Sequence, residues 1–146
     1  MNANELMIGD WVVYRGDAEY TNPVRIEGMD ILTNALITED REDVGFDGID
    51  PIPLTAEILE KNGFKFDGSG QRSMMLISEP HFSEGIRYNI YVGLKKKTIE
   101  VFVAHPVEKS PNWRKSNKVY LEVCGLYVHE LQHALRLCGI EKEIEL

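Results

Sequence analysis

Only one long stretch of this chain carries a helical repeat. In residues 126–138, Val128, Leu131, Leu135 and Cys138 recur at intervals of three and four, flanked by Tyr127 and Ala134. That spacing gathers them on one stripe of an α-helix, and Gly139 supplies the stop. Upstream, apart from one two-turn segment, the chain breaks into short β-branched and aromatic runs. Gly, Pro, Asn and Asp divide them, the pattern of strands and turns. A chain written this way is confined to an α+β fold: a small N-terminal β lobe, a short helix, then an antiparallel sheet closed by one C-terminal amphipathic helix. The opposite face of that helix, with His129, Gln132, His133 and Arg136, is expected to be its polar side.

The segments fall into two lobes, 1–54 and 55–146, with one continuous domain as the alternative. Residues 6–14 read as a strand with Gly9 at a bend, and Arg15-Gly16-Asp17 as a turn. Residues 24–26 and 31–37 are short strands. Residues 39–50 carry six acids against Arg41 alone, without the D-x-D-x-D-G order of a calcium loop, and read as a solvated acidic loop with at most weak cation affinity. Thr55 is an N-cap, Glu57 sits in the first turn, and Leu54 and Leu59 form a hydrophobic staple. With Gly63 as the stop, they define a helix over 56–62. Strands are expected at 64–66, 74–77 and 119–123, with a turn at 67–70. A hairpin pairs 86–92 with 98–103 and exposes Lys95-Lys96-Lys97 at its tip. Residues 105–118 read as a loop, and 140–146 alternates like an edge strand.

Composition then narrows the function classes. The chain has 146 residues and a net charge of −8. An acidic chain of this kind is a poor general nucleic-acid coat. Its local exceptions are the Lys95–Lys97 tip and the later Trp113, Arg114, Lys115 and Lys118, which suit at most weak nucleic-acid binding. Trp11 reads as a core residue. Two cysteines, Cys124 and Cys138, are too few for a disulfide framework and are expected to be reduced structural thiols of a cytoplasmic protein. No apolar run reaches membrane-span length, and no serine-hydrolase or nucleotide-binding signature occurs.

The sharpest motif is His129-Glu130-Leu131-Gln132-His133, of the form H-E-x-x-H. On a helix its two imidazoles share a face and can reach one zinc, while Glu130 activates bound water. Such a site needs a third protein ligand. Where metzincins continue with Gly and His, this chain has Arg136 and Gly139. Glu141, Glu143 and Glu145 lie in an alternating tail, and nothing in the spacing points to His81 or His105. A permanent cation at Arg136, three residues after His133, also opposes a divalent metal.

Three segments carry a family resemblance: residues 4–12 (Asn-Glu-Leu-Met-Ile-Gly-Asp-Trp-Val), 51–64 (Pro-Ile-Pro-Leu-Thr-Ala-Glu-Ile-Leu-Glu-Lys-Asn-Gly-Phe) and 127–140 (Tyr-Val-His-Glu-Leu-Gln-His-Ala-Leu-Arg-Leu-Cys-Gly-Ile). Together they resemble a family of small uncharacterised proteins from Bacteroides-type gut bacteria, their phages and mobile elements. The resemblance implies a Tyr-Val-His-x-Leu-Gln helix that is structural, and it brings no assigned catalytic residue. The opening Leu-x-Ile-Gly-x-Trp-Val also resembles the first strand of small SH3-like barrels, although fold alone does not fix function.

The expectation is therefore a cytoplasmic, non-catalytic accessory or interaction protein with a protein partner, no catalytic residue and no cofactor. The alternative is a minimal zinc hydrolase with His129 and His133 as ligands and Glu130 as base. A weak nucleic-acid binder is a second alternative.

Overall fold

A computed structural model describes residues 5–16, 22–30, 32–66, 68, 73–77, 87–106, 113–121 and 126–146; at 73, 77, 87, 104–106 and 113–121 the description is of backbone alone. The fold is α+β, with two antiparallel sheets and two helices. The chain forms two compact units, one of Met1–Pro53 with Tyr127–Gln132, the other of Leu54–Leu126 with His133–Leu146.

In the first unit, β1 (Trp11–Tyr14), β2 (Val24–Asp30), β3 (Ala35–Thr38), β4 (Val44–Gly45) and β5 (Ile49–Pro51) form a sheet in the order β4-β3-β2-β1-β5. Its ends do not pair, so among the described residues it is not a closed barrel. Leu6, Val12, Val24, Ile26, Leu36, Phe46 and Ile49 build the core, with Tyr14, Met29 and Val44 packed against it. The expected strand over 31–37 is displaced. Residues 32–34 make the turn, with Asn34 at φ +57, and β3 starts at Ala35. The expected acidic loop over 39–50 is also cut short. Phe46 and Ile49 are buried, so β4, a 3-10 turn at Phe46–Gly48 and β5 occupy its second half. Apolar residues spaced three apart were enough to anchor that segment despite its acids.

The second unit holds α1 (Ala56–Lys61), β6 (Lys65–Phe66), β7 (Ser73–Ile77), β8 (Arg87–Gly93), β9 (Thr98–Pro106) and β10 (Trp113–Leu121). Helix α1 starts as its sequence dictates. The Thr55 hydroxyl accepts from the Ile58 N–H at 3.3 Å, and Leu54 and Leu59 are buried. The Glu57 carboxyl is held below its ordinary range, first by its own backbone N–H and then by the Thr55 hydroxyl. Gly63 takes φ +81, a left-handed stop that a side chain would strain.

The sheet runs β10-β9-β8-β7-β6, antiparallel throughout. Met74, Ile90, Val92, Ile99 and Val101 are buried on one face. The β8–β9 hairpin has Gly93 opposite Thr98, and Lys95, Lys96 and Lys97 are exposed at its tip. The expected loop over 105–118 is corrected here. Strand β9 runs on to Pro106, and Trp113–Ser116 already pair with it, with a register shift between Ser116 and Lys118. The irregularity accommodates a charged, edge-type sequence in an otherwise regular ladder.

Helix α2 (Val128–Leu137) ends at Gly139, which has φ +65. Val128, Leu131, Ala134, Leu135 and Cys138 are buried as its periodicity requires. Residues 140–146 form no strand. Instead Ile144 is buried at 2% exposure, and backbone groups of the tail bond to side chains of the second unit.

Candidate functional site

The H-E-x-x-H segment sits at the start of α2, and its residues divide between the two units: His129 and Glu130 with the first, His133 with the second. Glu130 is the third residue of the helix. Its carboxylate reaches back and accepts from the Tyr127 N–H at 3.1 Å. This is the acidic half of a capping box, in which the third residue satisfies a donor that the first turn cannot. The position that a zincin uses for its general base therefore holds a helix cap.

His129 is not on a solvated face, as the helical wheel implied. It is 4% exposed, and its ring stacks on that of Tyr127 at 5.8 Å between centroids and 10° between planes. Gln132 corrects the same expectation. It is 6% exposed, its Oε1 accepts from the Trp11 N–H at 3.1 Å, and its Nε2 donates to the Gly9 carbonyl at 3.0 Å. Both groups of one amide are thus spent on the backbone that leads into β1. The turn they hold is built for it. Gly9 takes φ +88, the Met7 N–H donates to Asp10 Oδ2 at 2.8 Å, and Asp10 is fully buried. His133 is half-buried, and Arg136 is exposed.

Among the described residues, no group of three or more His, Cys, Asp or Glu is placed to hold a metal ion, the acidic stretch at 39–50 included. His81 and Cys124 lie outside the described residues, and His105 belongs to β9, where backbone alone is described. Glu141, Glu143 and Glu145 are exposed. Cys138 is a free, buried thiol, and desolvation pushes it up to about 11. It is neutral at physiological pH and a poor nucleophile.

The basic candidates separate in the same way. Lys95–Lys97 stand exposed, whereas Trp113, Arg114, Lys115 and Lys118 belong to strand β10 rather than to a loop. Trp11 is half-buried rather than core, with the Arg25 guanidinium 5.0 Å from its ring centroid.

Three groupings escaped the sequence. Gln132 is one. Asn62 is another: fully buried, it donates from Nδ2 to the Ile58 and Glu145 carbonyls, each at 2.8 Å, and accepts at Oδ1 from the Glu145 N–H at 3.0 Å. Lys142 Nζ adds a bond to the Asn62 carbonyl at 2.7 Å. The third joins Tyr14, Thr38, Asp40 and Arg41. The Tyr14 hydroxyl bonds Thr38 Oγ1 at 2.8 Å and donates to Asp40, while Arg41 lies 4.2 Å from the Tyr14 ring centroid. The Tyr14 hydroxyl lowers the Asp40 carboxyl below its usual range, and burial, then Asp40, raises the Tyr14 phenol. A phenol held protonated is a poor nucleophile, and this arrangement braces the turn after β3. No spacing rule signals any of the three.

No protein-family model matches the chain, and searches of curated proteins and of solved structures found no match.

Proposed function

We propose that this chain is a non-catalytic interaction protein in which the H-E-x-x-H helix serves the fold. The observation that carries this reading is the engagement of Glu130 with the Tyr127 N–H. The Gln132 amide, bonded to Gly9 and Trp11, supports it from within the same five residues. The strand order of the first unit, with β5 beside β1 and a 3-10 turn before β5, favours the SH3-like reading of its sheet, left open at β4 and β5. The three anchor segments support a setting in bacteria, phages or mobile elements.

Zinc content and hydrolase activity, measured together with the stability of Glu130 variants, test the reading. A cap and a catalytic base respond differently. Glu130→Ala should cost about 1 kcal/mol of stability, as loss of a capping interaction does. Glu130→Gln keeps an acceptor for the Tyr127 N–H and should cost little. Stoichiometric zinc lost in His133→Ala, with peptidase activity abolished by Glu130→Gln at unchanged stability, would replace this reading with the zinc hydrolase.

A further inference from the structure

Charge is divided unevenly along this chain. Residues 65–121, which supply all five strands of the second sheet, hold ten Lys and Arg against five Asp and Glu, a net +5. The remaining residues carry a net −13. The acidic total therefore conceals a basic sheet.

The register of that sheet sorts its residues further. One row across the strands runs Lys65, Met75, Tyr91, Glu100 and Tyr120. The next row on the same face, about 6.8 Å along the strands, contains Asn89, Phe102 and Lys118. Tyr91 and Phe102 meet edge to face, their centroids 5.2 Å apart and their planes at 80°. Both are half-buried, in contrast to the fully buried Ile90, Val92 and Ile99 of the other face, and Lys65 is exposed. Asn89 is 4% exposed, and among the described residues its Oδ1 has no hydrogen-bond partner. The exposed Lys95 and Lys96 stand at the tip of the β8–β9 hairpin, just past the Gly93–Thr98 pair and so beside the Tyr91 row along the strand direction.

Aromatic positions in cross-strand rows, bordered by cations, are what a single-stranded nucleic acid requires. Bases stack on rings whatever their sequence, and phosphates meet lysines. We infer that this face of the β6–β10 sheet binds single-stranded nucleic acid, with Tyr91 and Phe102 as the stacking positions and Lys65, Lys95 and Lys96 meeting the phosphates. The inference names the partner of the non-catalytic reading and rests on it. Glu100 is the one acid among the named positions. It weakens polyanion binding and keeps the sheet from being a general nucleic-acid coat.

The test is fluorescence anisotropy of the full chain with labelled oligothymidylate and oligouridylate, which separates DNA from RNA, and with duplex DNA and polyglutamate as comparators. Single strands should bind more tightly than the duplex or polyglutamate. With about three phosphate contacts, affinity should fall about 20-fold between about 50 and about 200 mM salt. Tyr91→Leu, which keeps apolar bulk and loses the ring, should weaken binding about tenfold. The double variant Lys95→Glu/Lys96→Glu should weaken it at least as much and flatten the salt slope; Lys97 is left alone because it holds φ +53 in the turn. Glu100→Gln should strengthen it, a gain that a merely structural residue would not produce. Circular dichroism establishes that each variant is folded. Absence of single-strand binding at low salt, or equal binding of polyglutamate, overturns the inference and leaves the non-catalytic reading intact, because that reading stands or falls on zinc and hydrolysis.

Discussion

Among the described residues, each unit contains one buried side-chain amide that bonds backbone at both ends, and the two do different work. In the first unit Gln132 accepts from Trp11 and donates to Gly9, fixing the entry into β1, the strand between β2 and β5. In the second unit Asn62, already the C-cap residue of α1, exchanges both bonds with Glu145 and holds the tail that buries Ile144. The chemistry is the same: one edge of a primary amide presents a donor beside an acceptor, as a peptide does, and pairs with backbone that has no ladder partner at that point. The cost of removing it differs with what it holds. A central strand cannot leave its sheet to find water, whereas a tail can.

The apolar stripe beside Gln132 sets the upper limit on these effects. Leu131→Asp places a charge at a fully buried site and should abolish folding, visible as loss of the cooperative thermal transition. A folded Leu131→Asp protein would show that α2 is not packed as described, and the comparison would lose its first member. Next is Gln132→Leu. It removes two hydrogen bonds and strands the Trp11 N–H and the Gly9 carbonyl, at about 1–3 kcal/mol for each group left unpaired. Asn62→Ala should cost less, about 1–2 kcal/mol, since the freed tail groups reach water. Hydrogen exchange sharpens the contrast. The Trp11 amide should lose protection in the first variant and the Glu145 amide in the second. Equal losses of stability would mean that the tail is held as firmly as the strand.

The smallest effect is one of pH. Cys138 holds its proton up to about 11 against an ordinary value of 9.0. The folded state therefore binds more protons than the unfolded state between those values, and stability should fall as pH rises through that window. The change should be absent from Cys138→Ala in urea titrations at successive pH values. A pH dependence unaltered by that substitution would assign the alkaline loss to other groups.

Much of the fold is legible in the sequence because its signals are local. Thr55, Glu57, Leu59 and Gly63 specify α1 within nine residues, and the β8–β9 hairpin is written in β-branched residues around a lysine tip. Strand β10 is harder to see. Ser116, Asn117 and three cations within Trp113–Leu121 resemble a loop, and an edge strand tolerates them because, among the described residues, only one side of its ladder is paired. Residues 44–51 are obscured by their acids, although Phe46 and Ile49 are buried. The candidate site was legible in position and illegible in role. A helical wheel assigns Gln132 and His129 to a polar face, but no periodicity records that these two positions are buried or that Gln132 meets polar backbone there. H-E-x-x-H spells equally well a zinc site and a helix start, and the bond from the Tyr127 N–H to Glu130 is visible only in three dimensions.

The division into two units also has an optical side. The chain contains two tryptophans, Trp11 in the first unit and Trp113 in the second. Trp11→Phe and Trp113→Phe would each leave a single indole, so emission during denaturation would come from one unit at a time. Coincident curves would mean one cooperative block, and separated curves two, without any added label.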